Sequence, residues 1–239
     1  MALRGHYELE EASGTRVDSV GTYDLDEIVN DSVTAVPGVI GNALNADAAF
    51  GHVGKTVGLP AWDGSATGFS YTFWVLFNNA NAPGVTEFIL RLGGGAGGRI
   101  ANVSRAASGR VGTEVRDTAT TYSETSNSVI FATPGIWTFV AVTYARLDFF
   151  ETFVNGVLDN PGKPTNDFDL KSMGADPMIR LGANAAGGLQ LDGAIDDLRF
   201  YDHKLTPAEV TALFLGTGGG GSSTGSRRSS NGWYRSFTG

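Results

Sequence analysis

The chain has 239 residues, 41% of them hydrophobic and 18% charged, with 34 glycines and no cysteine. So much apolar residue with so little charge excludes a disordered chain. The lack of cysteine excludes disulfides, thiolate zinc sites and cysteine nucleophiles, and no apolar run is long enough to span a membrane. The net charge of −8 divides into −11 on residues 1–215 and +3 on residues 216–239, where Arg227, Arg228 and Arg235 stand without an acid. An acidic body argues against nucleic-acid binding.

In chain order, Met1 to Glu8 has no basic stretch leading into an apolar one, so no secretory signal is expected. Phe69–Phe77 is aromatic and β-branched with apolar residues on both faces, which predicts a strand well inside a stack of sheets. Val85–Leu92 and Arg99–Ser104 read as further strands. Trp137–Tyr144 and Phe149–Val154 follow, joined by a short turn over Ala145–Asp148. Asn155-Gly156 then predicts a tight two-residue turn, because both residues tolerate positive φ, with Val157-Leu158 pairing back. Met178–Leu181 and Gln190–Tyr201 complete the strands. Trp74 and Trp137 are expected in the core. Strands at this spacing with glycine-rich turns predict an all-β, two-sheet antiparallel sandwich.

One short C-terminal helix is expected after it. Thr206-Pro207-Ala208-Glu209 has the form of a capping box with proline at the first helical position, Val210, Leu213 and Phe214 form an apolar stripe, and Gly216 is a stop. Residues 216–239 hold 8 Gly and 6 Ser. They read as a flexible tether ending in Trp233, Tyr234, Arg235 and Phe237. Arginine with aromatics suits a docking peptide. The domain division is therefore 1–215 for the sandwich and 216–239 for an extended tail.

Four stretches resemble laminin-G-like, concanavalin A-like domains of bacterial and phage proteins. They are Tyr7–Thr15 with Asp18-Ser19 and Asp24-Leu25; Ile40–Ala43 leading to Phe50; Trp137–Tyr144 with Phe153–Leu158; and Ile179–Gly182 with Asp192–Tyr201 and Leu205–Val210. Their order and spacing match over about residues 3–215. The resemblance implies a jelly-roll fold that is usually non-enzymatic and binds glycans or proteins, often with a calcium ion.

Several candidate sites follow. Strand alternation puts Ala194, Asp196, Leu198 and Phe200 on one face, and a carboxylate on a core face needs a partner: backbone N–H groups, an arginine or a cation. For calcium, Asp192, Asp197, Asp18 and Asp24 could join Asp196 if the N-terminal segment lies beside the last strand. Trp62 and Asp63 in the loop before the Phe69 strand suit a sugar ring stacked on indole with a carboxylate on its hydroxyls, the alternative being a Trp62 folded back on the sandwich. Gly93–Gly98 satisfies a dinucleotide-type glycine pattern, but the strand expected after it is the wrong context, and Gly54-Lys55-Thr56 lacks the first glycine of a phosphate loop. No nucleophile elbow or paired strand carboxylates point to catalysis.

Two functions follow from these readings. The first is a non-enzymatic virion protein of a bacteriophage, a capsid decoration or tail-associated subunit, anchored to a neighbouring capsid protein by its C-terminal tail. The second is an extracellular carbohydrate-binding or adhesion module gripping cell-surface glycans. Homo-oligomerisation is left open by both.

Overall fold

The computed structural model describes residues 2–27, 33–46, 53–55, 68–79, 86–93, 100–116, 121–126, 133–145, 147–164, 179–184 and 187–216. In chain order the strands are β1 (Leu3–Tyr7), β2 (Asp26–Glu27), β3 (Thr34–Pro37), β4 (Asn42–Ala46), β5 (Val53–Lys55), β6 (Gly68–Phe77), β7 (Glu87–Leu92) and β8 (Ile100–Arg105). They continue with β9 (Val111–Arg116), β10 (Thr121–Thr125), β11 (Thr138–Ala145), β12 (Phe149–Val154), β13 (Val157–Pro164), β14 (Ile179–Leu181) and β15 (Gly193–Tyr201), before helix α1 (Pro207–Phe214).

Among the described residues the strands form two antiparallel sheets. The first runs β13-β12-β11-β6-β15-β4-β3 and the second β10-β9-β8-β7-β14-β5-β2. One edge of β15 is shared: β4 pairs with Gly193–Ile195 and β1 with Leu198–Tyr201. The period of two does the sorting. On β6, Tyr71, Phe73 and Val75 point inward and are fully buried against Leu90, Leu92 and Leu181 of the other sheet.

The apolar residues on the second face of β6 have a different use. Trp74 pairs with Phe139 of β11 and is half-buried under α1, its ring 5.6 Å from that of Phe214. Trp74 thus belongs to a satellite cluster with Phe153 and Val210 and not to the inter-sheet core, and Trp137, half-buried, stands just before β11. The helix is capped as expected: the Thr206 hydroxyl accepts from Glu209 N, and the Glu209 carboxylate accepts from Thr206 N. An eight-residue helix is unstable alone; here it is held by this apolar seat and by Thr211, whose hydroxyl donates to the Gly156 carbonyl at 2.9 Å. Asn155 and Gly156 take φ of 49° and 79°, the paired positive values of the expected turn. The strand after it runs well past Leu158, to Pro164, with irregular register.

β15 departs from simple alternation. Asp197 has φ +51°, and between Asp196 and Arg199 two residues of β15, Asp197 and Leu198, stand against one of β6, Phe73. This bulge reverses the faces. Ile195 lies in the core before it, and Leu198 and Phe200 after it. The expectation that Asp196 shares a face with Leu198 and Phe200 is corrected: Asp196 is opposite Trp74, on the outer face with Ala194.

Candidate functional site

The second sheet has an outer face that is polar. Its inward residues, among them Val53, Leu90, Val103 and Leu181, are core. Between them the register aligns one row across six strands: Glu114 of β9, Asn102 of β8, Arg91 of β7, Arg180 of β14, Gly54 of β5 and Asp26 of β2. Asn102 and Arg180 are buried although they are turned away from the core. Arg180 donates to the Asn184 carbonyl at 3.1 Å. Burial, then the neighbouring Arg91 charge, pushes its guanidinium down from the ordinary value. The row brings together amide, guanidinium and carboxylate groups. Its signal was present in the sequence as single polar residues flanked by apolar ones, Leu90-Arg91-Leu92, Ala101-Asn102-Val103 and Ile179-Arg180-Leu181. Each triplet is too short to stand out alone.

Of the residues expected at sites, Trp62 and Asp63 lie outside the described residues, in the segment between β5 and β6. Arg227, Arg228, Trp233, Tyr234, Arg235 and Phe237 of the tail also lie outside them. Gly54 and Lys55 are in a strand, which agrees with rejecting a phosphate loop there.

The five carboxylates considered for calcium are described. The first part of the expectation holds, since β1 lies beside β15. Asp18 and Asp24 nevertheless serve the loop after β1: Asp18 Oδ1 accepts from His6 N at 3.0 Å, and Asp24 Oδ1 from Asp18 N at 2.9 Å. Asp192 accepts from the side-chain amides of Asn78 and Asn79, tying the entry of β15 to the exit of β6. Asp196 Oδ2 accepts from Val39 N at 2.7 Å and Ile40 N at 2.9 Å, the backbone partners considered for it. Asp197 Oδ1 bonds His6 Nε2 at 2.8 Å and Arg199 Nε at 2.9 Å. Calcium takes six to eight oxygens from one cage. Among the described residues no three acids or histidines are grouped to hold a metal, so this set does not fit calcium.

A buried polar network closes one end of the sandwich. The Arg105 guanidinium pairs with the Glu87 carboxylate, donates to the carbonyl and side-chain oxygens of Asn79 at 3.0 and 2.7 Å, and lies 4.2 Å above the Phe77 ring. Burial raises the Glu87 carboxyl above its ordinary range, against the pull of Arg105 and a hydrogen bond from the Asp192 backbone. It joins β6 and β15 of one sheet to β7 and β8 of the other.

The model of the concanavalin A-like lectin/glucanases superfamily, laminin-G type, matches residues 52–211. The chain belongs to this superfamily. No curated protein matches the sequence. Among solved structures, the lectin-fold chain is similar to domain 4 of an extracellular family 43 arabinanase from Geobacillus stearothermophilus, solved with arabinotriose. The identity is 20% and the TM-score 0.66, over 88% of this chain and 97% of that one. It is also similar to the receptor-binding domain of the botulinum neurotoxin C/D mosaic serotype, with 13% identity and a TM-score of 0.69 over 90% of this chain and 51% of that one. A type C botulinum neurotoxin structure, described as dependent on two ganglioside molecules for cell entry, gives 14%, 0.67, 90% and 51%. The chain spans about half the length of these toxin structures. At such identities the likeness is one of fold, and fold alone does not settle activity.

Proposed function

We propose that this lectin-fold domain is a non-enzymatic carbohydrate-binding module, with the outer face of the second sheet as its glycan surface. The observation that carries this reading is the polar row across that face, in which Arg91 and Glu114 are half-buried and Asp26 is exposed, since guanidinium groups and carboxylates are partners that sugar hydroxyls take. The arabinotriose of the arabinanase domain and the gangliosides of the type C toxin support it. The non-enzymatic part is supported by how strand carboxylates are engaged: Glu87 by Arg105, Glu151 by Lys204, Asp197 by Arg199. Trp62 and Asp63 would add a stacking ring and an acceptor. On a glycan array the wild type is expected to bind, and Trp62→Ala and Arg91→Ala each to lose about tenfold in affinity, roughly 1.4 kcal/mol, with the domain still folded. No binding by the wild type to any glycan overturns the reading.

A finer reading places the module on a bacteriophage particle, as a capsid decoration or tail-associated subunit. It is supported by the composition of residues 216–239, where a Gly-Ser stretch leads to three arginines and three aromatics. A basic segment on an acidic body can dock onto an acidic neighbour. Deleting residues 217–239 is expected to abolish incorporation into virions with the sandwich still folded. Normal incorporation of the truncated protein overturns the anchor.

A further inference from the structure

The β3–β4 turn rests on one acid. Asp196 is fully buried. Its Oδ2 accepts from Val39 N and Ile40 N, and its Oδ1 is buried with no hydrogen-bond partner among the described residues. The turn closes on itself through Gly38 N donating to the Gly41 carbonyl at 2.9 Å. It packs so tightly on the carboxyl that a Cβ at Gly38 would fall 2.6 Å from Oδ2. The turn's outer side carries Val39 and Ile40, 40% and 50% exposed.

We propose that Asp196 is a proton-operated latch: as the neutral acid it holds the β3–β4 turn closed, and on ionising it loosens the turn. The geometry sets the direction. A proton on Oδ1 leaves Oδ2 free to accept from both amides, so the neutral acid keeps the whole arrangement. An ionised carboxylate has the same two bonds but a bare oxygen enclosed away from water, which is costly. The nearest relief is for the turn to lift and admit water.

The charged groups around it push the same way. Glu10 faces it from the segment after β1, where its carboxylate also accepts from Asn42 N at 2.8 Å. Asp197 adjoins it on β15, its own charge met by Arg199 and by His6 of β1. Trp74 of β6 and turn residues Gly38–Gly41 bring no titratable group. Burial is the main cause that raises the Asp196 carboxyl from its ordinary 3.8 to about 7; the two amides oppose the shift, and Asp197 and Glu10 add to it. The folded state therefore holds this proton more tightly than the unfolded state. The contribution is complete below the unfolded value near 4 and is lost as pH rises through about 7.

Two measurements test the latch. In hydrogen exchange of the wild type, the protection factors of Val39 and Ile40, corrected for intrinsic rates, are expected to fall at least roughly tenfold from pH 5 to pH 8, while Val140 in the core changes less. Unchanged protection at Val39 and Ile40 overturns the proposal. In denaturant titrations across the same range, Asp196→Asn mimics the neutral acid. The wild type is expected to lose stability relative to Asp196→Asn by roughly tenfold in its unfolding equilibrium as pH rises. A difference between the two proteins that does not vary with pH also overturns it.

Discussion

Arg105→Met is expected to destabilise the domain by about 3–5 kcal/mol at neutral pH, the range for breaking a buried ion pair by removing one partner. The Arg105 side chain is 2% exposed and that of Glu87 7%, so methionine fills much of the volume but leaves the Glu87 carboxylate enclosed without its cation. Asn79 loses both guanidinium bonds as well. In a domain of this size the melting temperature should fall by roughly 10 °C.

The loss should depend on pH. Burial already raises Glu87, and Arg105 opposes that. Without Arg105 the folded value rises further above the unfolded one, so Glu87 adds instability as pH climbs from about 4 toward neutrality. Urea titrations at pH 4.5 and pH 7.5 should therefore show the smaller penalty at the lower pH. Adding Glu87→Gln should restore part of the stability. Equal stability of Arg105→Met and wild type at pH 7.5 would show that the pair is dispensable.

Gly193→Ala is the second large effect, at about 3 kcal/mol or more, the upper part of the range for overpacking. Gly193 lies between two strands, paired with Phe77 of β6 and Ala46 of β4. An added Cβ would stand 2.0 Å from the Leu76 carbonyl oxygen and 3.1 Å from its carbon. These are backbone atoms in a paired strand, so no side chain can turn aside to make room. Gly188→Ala is the matched control. Among the described residues its Cβ would meet only the Asn184 side chain, at 3.7 Å, and the change should be within about 0.5 kcal/mol. Thermal melts of both variants decide the matter, and a Gly193→Ala protein as stable as wild type would contradict the close approach.

The legible part of the fold follows from local chemistry. Phe149–Val154 and the Asn155-Gly156 turn are as expected because strand alternation and positive-φ tolerance are written in adjacent residues. The Thr206–Glu209 capping box is equally local, its partners three residues apart. Trp74 lies outside the inter-sheet core for a physical reason. An apolar residue on a strand marks a face that is covered, and the pattern does not say whether a sheet or a helix covers it. β13 extends beyond Leu158 through Pro161 and Gly162, residues that ordinarily end a strand but are tolerated at the sheet edge that β13 occupies.

The candidate site was less legible than the fold. Arg91 and Arg180 are 89 positions apart in sequence yet directly opposite in register, so neither pointed to the other. Asp196 was recognised as needing a partner, and its backbone partners lie more than 150 residues away.

By itself, then, the sequence determined the class of fold, the turn and helix boundaries and the family, because periodicity, caps and motif spacing act over a few residues. The tertiary structure alone decided which way β15 faces after the Asp197 bulge, that Arg105 neutralises Glu87, and that Asp196 holds a distant turn. Those outcomes depend on burial and on contacts between remote segments. A period of two states that faces alternate, but one extra residue in a strand reverses them, and only the packed neighbours select the register.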